Sequence, residues 1–387
     1  MKVPILIPNI FNHPFTYNSD LTLKVGDYVV VPFGKSEVTG VVWDDFEKKT
    51  NKNFAIKTVL RKLDVPSLKK NTIKFLNWFS EYNMTPKGMA LKLLLLSSGA
   101  IEKLPIEAYE PFKIDIKENE IKLSKEQKDS LKKMNVLNQK FRVHVLQGTT
   151  GSGKTMVYFE ALKEIINKGF QGLILLPEIG LTGQFQNKFI EFFGFKPAVW
   201  HSGITKKNKE IIWSGIANDK IKVVIGARSS LFLPFKKLGL IIVDEEHDQS
   251  YKQDEGVTYN ARDMAISRAS FENIPINLIT AVPSIETYRG IDCSAILQLF
   301  FYYNNKFYPR DTKDQIKYSA KKNNSGIFKK GDIIFWKGHV ALCVNSQKLI
   351  HAYGPEKKVL IMNITETINR IERTAKLIVK KISSIKY

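Results

Sequence analysis

The run Gly148-Thr149-Thr150-Gly151-Ser152-Gly153-Lys154-Thr155 has the residue types and spacing of a loop that cradles the phosphates of ATP. In such a loop, successive backbone N–H groups at a helix N-terminus point at the anion and glycines permit its close approach. The lysine neutralises phosphate charge, and the threonine hydroxyl ligates Mg²⁺. Phosphoryl transfer also needs carboxylates facing the loop. Ile241-Ile242-Val243-Asp244-Glu245-Glu246-His247 supplies them at the end of an apolar run. Asp244 is suited to hold Mg²⁺ through water and Glu245 to orient the attacking water. The plain alternative is a solvated acidic turn, against which the buried strand before it speaks. A third constellation lies further on. Cys293 opens the apolar segment Ser294-Ala295-Ile296-Leu297, and His339 and His351 fall in strand-like runs. A helix N-terminus lowers a thiol pKa, so a cysteine there with two histidines can supply nucleophile, base and orienting group. Packed structural residues are the alternative.

The elements that must position these groups follow from periodicity. Residues 1 to about 65 alternate apolar and polar positions, as in Asp27 to Lys35 and Thr39 to Trp43, which predicts a small β-rich domain. Ile73, Phe75, Leu76, Trp78, Phe79 and Tyr82 have helical spacing within a segment from Ser67 to about Leu96. Residues 101–122 have no strong period and read as a linker. From 123 to 288, apolar runs at Val143–Leu146, Leu173–Leu176, Val223–Ile225, Leu240–Val243 and Ile276–Ile279 alternate with helix-length segments. That alternation predicts a parallel sheet covered on both faces. After Gly290 come one helix, a loop and short strands at Gly331–Trp336, Gly338–Val344 and Leu349–Gly354. The fold class is therefore multidomain α/β, with a β-rich N-terminal domain at 1–100, a RecA-like motor lobe at 123–288 and an α+β segment at 289–387.

Composition sets looser bounds. With 59 basic against 38 acidic residues the chain carries +21, of which +11 falls in residues 290–387, where no nucleic-acid site is expected. Charge alone is thus a poor guide to a DNA partner. Cys293 and Cys343 are the only cysteines, which excludes a disulfide framework and a four-cysteine zinc site. Prolines and Asn9 break the N-terminal apolar segment, and Lys92 interrupts the longest apolar stretch. The expectation is a cytoplasmic chain without a membrane span.

Several motifs carry a specific resemblance: Leu176-Pro177-Glu178-Ile179-Gly180-Leu181-Thr182, His201-Ser202-Gly203, Gly226-Ala227-Arg228-Ser229-Ser230-Leu231-Phe232, Asp244-Glu245-Glu246-His247 and Ser250-Tyr251-Lys252-Gln253 leading to Tyr259-Asn260-Ala261-Arg262-Asp263. In this order and spacing they resemble the PriA family of primosomal replication-restart helicases, in superfamily 2. The resemblance implies that Gln127 joins the phosphate loop in binding ATP. It also implies that the loop carrying Tyr251, Lys252 and Arg262 senses DNA, and that Thr182 and Arg228 lie along the DNA path. Forked DNA, single strands and 3′ ends are the implied partners, with primosome and single-strand-binding proteins beside them. Pro4 to Tyr17, Val31-Pro32-Phe33-Gly34 and Gly40-Val41-Val42 are similar to the family's 3′-end-binding domain. There Phe15 matches the stacking position and Lys57 the basic one, while Thr16 stands where the family usually has Asp.

Departures accompany the matches. Thr280-Ala281-Val282-Pro283 replaces the family's Ser-Ala-Thr-Pro, residues 101–122 are too few for a winged-helix domain, and nothing after Tyr288 resembles a second motor lobe. The expectation is a motor lobe crippled in turnover. Residues 290–387 instead resemble the NlpC family of papain-like cysteine peptidases, acting on peptidoglycan stem peptides. That resemblance implies Cys293 as nucleophile, His339 as general base and His351 as the residue orienting it, with Cys343 a core residue. The family's Tyr and Trp-Gly-Gly stretch before the cysteine is absent, so the segment is a truncated papain-like fragment. The two resemblances abut without a linker, as in a rearranged gene. Three functions follow in order: an ATP-dependent DNA helicase fragment, a cell-wall cysteine peptidase, and a non-catalytic DNA-end binding module.

Overall fold

The N-terminal alternation builds an antiparallel sheet from β1 (Lys2–Leu6), β2 (Phe15–Asn18), β3 (Tyr28–Phe33), β4 (Ser36–Val42) and β5 (Arg61–Lys62), in the order β2-β1-β4-β3-β5. The computed structural model describes residues 1–45, 55–95, 101, 123–177, 180–283, 297, 308–309, 312–319, 327–353 and 358–384. The predicted helical segment is two helices, α1 (Lys70–Tyr82) and α2 (Lys87–Leu94). Of the linker, only Ile101 is among the described residues, and it is buried in the core.

The α/β region forms a six-stranded parallel sheet. Its strands are β6 (Arg142–Gln147), β7 (Gln171–Leu175), β8 (Ala198–Trp200), β9 (Val223–Gly226), β10 (Leu238–Val243) and β13 (Pro275–Thr280), ordered β6-β13-β10-β7-β9-β8. A hairpin of β11 (Lys252–Gln253) and β12 (Tyr259–Asn260) stands outside it. Around the sheet lie α3 (Lys125–Met134), α4 (Lys154–Asn167), α5 (Gly183–Phe193), α6 (Lys206–Ala217) and α7 (Ala261–Glu272). β7, β9, β10 and β13 are buried at every position, which is why they read as continuous apolar runs. β6 sits at the sheet edge and leaves Val143 and Val145 exposed.

The chain divides into compact units at 1–283 and 284–387. Within the first of these, one hydrophobic core runs through both the expected segments 1–100 and 123–288. Phe79 meets Phe232 at 5.0 Å and Tyr259 at 5.5 Å, and Tyr28 meets Trp213 edge-on at 5.6 Å. Trp213 Nε1 donates to the Leu94 carbonyl at 2.9 Å. Each fully buried aromatic contributes about 1.5–3 kcal/mol, so this seam is a core and not a transient interface. Across it, the buried Glu272 accepts from Lys69 Nζ at 3.0 Å and Thr72 Oγ1 at 3.1 Å.

The second unit is an antiparallel sheet of β14 (Ile333–Trp336), β15 (His339–Cys343), β16 (Lys348–Tyr353), β17 (Lys358–Asn363) and β18 (Lys381–Ser383), ordered β17-β16-β15-β14-β18. α8 (Thr312–Tyr318) and α9 (Ile364–Ala375) accompany it. Ile334, Trp336, Ala341, Cys343 and Leu349 pack with Ile364 and Ile371 of α9, while Ile333, Phe335, Val340 and Leu342 pack with Leu297 and Tyr308. Alternation along β14 and β15 thus serves two apolar layers. Cys343 is buried, as expected of a core thiol.

Replacing Glu272 by Ala leaves Thr72 and Lys69 without their shared acceptor. It should cost about 1–3 kcal/mol, read from urea unfolding with unchanged m. A shift within error would show that aromatic packing alone holds the seam.

Candidate functional site

The phosphate loop runs from the end of β6 into α4. Gly151 and Gly153 adopt φ of +82° and +79°, the left-handed region that glycine enters without strain. A Cβ on Gly148 would lie 2.6 Å from Ser152 Oγ, and one on Gly153 2.5 Å from Gln127 Nε2. Gln127 is fixed by a capping box with Ser124 at the start of α3, and its amide donates to the Ser152 carbonyl at 3.0 Å. Lys154 Nζ donates to the Gly148 carbonyl at 2.6 Å and the Thr149 carbonyl at 3.2 Å.

Asp244 follows β10. Its Oδ2 accepts from Tyr158 Oη at 2.8 Å and its Oδ1 from the Glu245 N–H at 3.0 Å. Burial raises the Asp244 carboxyl above its ordinary value and Glu245 adds to this, while Tyr158, the Glu245 N–H and Lys154 pull it down. Tyr158 also hydrogen-bonds Thr155. One tyrosine therefore ties the two residues expected at Mg²⁺. Sequence reasoning missed it, although its position one helical turn after Lys154 was the available signal. A hydroxyl and one carboxylate suit Mg²⁺, which keeps several waters and takes few protein ligands. Among the described residues no group of three or more His, Cys, Asp or Glu could hold a metal.

β13 lies between the two motif-bearing strands β6 and β10. The Thr280 carbonyl at its end accepts from the Gly148 N–H at 3.1 Å. The Thr280 hydroxyl lies 2.8 Å from His247 Nδ1 and donates to the Val282 carbonyl at 2.9 Å. Since a hydroxyl has one proton, His247 Nδ1 is the donor in the first contact. The replaced Ser-Ala-Thr-Pro motif thus keeps a working hydroxyl in first place. Glu245 has φ +47°, a left-handed conformation unusual for a glutamate and of the kind found at functional sites.

The residues expected along the DNA path divide. Arg228 Nη1 donates to the Lys252 carbonyl at 2.7 Å, which joins two of them, and Lys252 is exposed. Thr182 caps α5, accepting from the Phe185 N–H at 3.3 Å. Tyr251 and Arg262 are buried. Tyr251 is 1% exposed and its hydroxyl donates to the Leu175 and Asp244 carbonyls. Arg262 is buried against Glu246 at 3.3 Å and Asp263. Both hold the turn after β10 together and present no free surface to a phosphate. Glu178 and Ile179 lie outside the described residues.

Phe15 packs edge-on against Phe33 at 5.4 Å, and Lys57 Nζ donates to the adjoining Gly34 carbonyl at 3.1 Å. The two residues expected at a 3′ end therefore converge on the β3–β4 turn. Thr16 is paired with Pro4 on β1.

In the second unit His339 Nε2 lies 3.0 Å from His351 Nδ1, with the rings edge to face. Adjacent pairing of β15 and β16 brings them together. Burial, then His351, lowers His339 to about 4, and burial, then Arg370, lowers His351. Burial and Asp332 push the Cys343 thiol up to about 12. Cys293 lies outside the described residues.

Residues 2–95 match the family described as 3′DNA-binding domain (3′BD), residues 124–289 the DEAD/DEAH box helicase family, and residues 284–375 the NlpC/P60 family. The replication restart protein PriA of Rickettsia conorii is 43% identical over 301 residues, covering 75% of this chain and 44% of that protein. PriA of Bacillus subtilis is 37% identical over 189 residues, covering 48% of this chain and 24% of its own. The chain spans at most about half the length of the curated relatives it matches. The solved peptidoglycan hydrolase RipB of Mycobacterium tuberculosis aligns with 25% of this chain and 46% of its own, at 25% identity and TM-score 0.21. No helix among the described residues is long and apolar enough to cross a membrane.

Both histidines have folded pKa values below the unfolded value of about 6.5, so the unfolded chain binds more protons between about pH 4 and 6.5. Stability of the second unit should therefore fall as pH drops through that window. His339→Gln should flatten the slope of the urea midpoint against pH, and an unchanged slope would mean that other groups set it.

Proposed function

We propose that this chain, which joins a PriA-type 3′DNA-binding domain and a DEAD/DEAH box helicase domain to an NlpC/P60 domain, works through its first unit as an ATP-dependent motor lobe on DNA. The residue supporting this most is Thr280, whose backbone touches the phosphate loop and whose side chain touches the Asp-Glu-Glu-His turn. Such a bridge makes the two halves of an ATP site answer to one strand. The phosphate loop from Gly148 to Gly153, with Lys154 and Gln127, would hold ATP, and Thr155 and Asp244 would hold Mg²⁺. Bound there, Mg-ATP supplies a phosphoanhydride whose transfer is driven by positioning and charge neutralisation. Glu245 would orient the attacking water, while Tyr158 holds the Asp244 carboxylate in place.

Phe15 and Lys57 would receive a single-stranded 3′ end, as at a fork, through stacking and charge. Arg228, Lys252 and Thr182 would lie along the strand. Work in a reducing, cytoplasmic compartment beside primosome and single-strand-binding proteins fits this reading. The residues following the first lobe match NlpC/P60, so an arginine that stabilises transition-state charge from a second lobe has to come from elsewhere. Binding of ATP without robust unwinding follows, and a DNA-end binding module without useful turnover is its limiting case. Lys154→Ala should weaken Mg-ATP binding by roughly ten- to a hundredfold, measured with a fluorescent ATP analogue. Robust DNA-stimulated unwinding by the purified chain would sink the half-motor reading.

A second reading rests on the His339–His351 pair. His339 turns Nε2 to His351, so its Nδ1 is the atom that would take a proton from the Cys293 thiol. The substrate class would be a peptide of the cell wall. Cys293 should react with iodoacetamide near neutral pH much faster than Cys343, whose thiol is buried and raised. Equal rates in the folded protein would leave this segment a structural remnant.

A further inference from the structure

The loop between β1 and β2 is held firmly and yet presents an aromatic ring to water. Its Phe11 carbonyl accepts from the Gly88 N–H at 3.1 Å, and its Phe11 N–H donates to Asn9 Oδ1 at 2.9 Å. Asn12 Oδ1 accepts from the Lys87 N–H at 3.1 Å. A Cβ on Gly88 would lie 2.5 Å from the Asn9 carbonyl oxygen, so the loop presses on the first turn of α2 where only glycine fits. Phe11 nonetheless remains 41% exposed. Phe11 is thus part packed against Phe15 and part open to water, next to Ile10, which is 73% exposed.

The rings about it are ordered. Phe11 stands at 89° to Phe15 with centroids 5.3 Å apart, and His13 lies 5.8 Å from Phe11 and 5.0 Å from Phe15. Phe15 in turn contacts Phe33 beside the Lys57–Gly34 bond. Ring contacts thus run from Phe33 beside Lys57 through Phe15 to Phe11 and His13. Every base offers a π-face to such rings, and Lys57 supplies charge for the backbone.

We infer that Phe11, with His13 beside it, is a second stacking subsite that takes the penultimate base of a single-stranded 3′ end. This rests on the reading of Phe15 as the platform for the terminal base. Phe15 alone holds one nucleotide, whereas the row from Phe33 to Phe11 holds two, so the chain distinguishes an unpaired 3′ dinucleotide from a single unpaired residue.

The experiment is a binding cycle with the full chain, read by fluorescence anisotropy on duplexes carrying short 3′ tails. The tails are intact or carry one abasic residue, at the terminal, penultimate or third position. In the wild-type chain a penultimate abasic residue should weaken binding about tenfold, in the range of one lost base–aromatic stack, and an abasic third residue should not. Phe11→Ala should weaken binding of the intact tail equally and abolish the penultimate effect, while Phe11→Trp should keep it. The terminal abasic effect should survive Phe11→Ala. If Phe11→Ala leaves the penultimate effect in place, the second subsite is refuted while the Phe15 pocket stands. If the terminal abasic residue has no effect on the wild type, the Phe15 reading fails and the second subsite fails with it.

Discussion

Everything in the first unit is organised by the turn that follows β10. A fully buried central strand must leave the core there, and its next residues are charged. Burying charge without partners costs several kcal/mol, and the buried Glu246 and half-buried Asp244 find partners on other elements, as does the exposed His247. Asp244 is met by Tyr158 of α4, Glu246 by Arg262 of α7, and His247 by Thr280 of β13. Glu245 is left with a left-handed backbone and a long contact to His247 at 3.6 Å. The Tyr251 hydroxyl closes the turn from the side, on the backbone carbonyls of Leu175 and Asp244. Asp244, Glu246 and His247 thereby tie α4, α7 and β13 to the end of β10, and the phosphate loop inherits its position from them.

α7 carries that constraint outward. Its first turn holds Arg262 against Glu246, and its last residue, Glu272, is bound by Lys69 and Thr72 of the N-terminal domain. With 12 residues it spans about 18 Å. Arg268 lies fully buried between the two ends, donates to the Leu231 and Leu233 carbonyls, and sits over Phe75 and Phe235. Burial brings that guanidinium down to about 10. The helix is thus pinned at its beginning, middle and end by charged groups, although the buried Arg268 Nε has no hydrogen-bond partner. It sets where the N-terminal sheet stands relative to the ATP site. A rigid strut transmits position, and a shift in population would require a second arrangement of the same contacts.

The sequence made the chemistry more legible than the packing. Phosphate-loop glycines and an acidic strand end are local signals, since backbone geometry and charge act within a few residues. The central strands were legible because burial on both faces leaves no alternation to misread. β8 is three residues, too short to carry a period, and the β11–β12 hairpin is shorter still. The packing of Tyr251 and Arg262 was hidden for a different reason. Residue type suggests a nucleic-acid contact, but only the fold shows that backbone carbonyls and Glu246 already occupy their polar ends. The seam between the N-terminal domain and the motor lobe was invisible because Phe79, Phe232 and Tyr259 are far apart in the chain. The His339–His351 pair was legible through the resemblance, and strand pairing supplies its geometry.

The boundary between the units bears on how the two chemistries can be separated. Thr280 donates to the Val282 carbonyl, so the end of β13 is closed by its own chain before the first unit ends at Pro283. Every residue of the proposed ATP site lies at or before that point, from Gln127 to Thr280. Both histidines lie beyond it, and their partners Met362 and Arg370 lie beyond it too. The sites therefore share no residue, and the family matches overlap only over residues 284–289. A substitution at Lys154 removes charge from a loop that has no counterpart in the second unit. A substitution at His339 changes a pair whose two members both belong to the second unit. Loss of one activity on altering the other site would then have to be carried by the fold as a whole, which an unfolding curve distinguishes from a loss of chemistry.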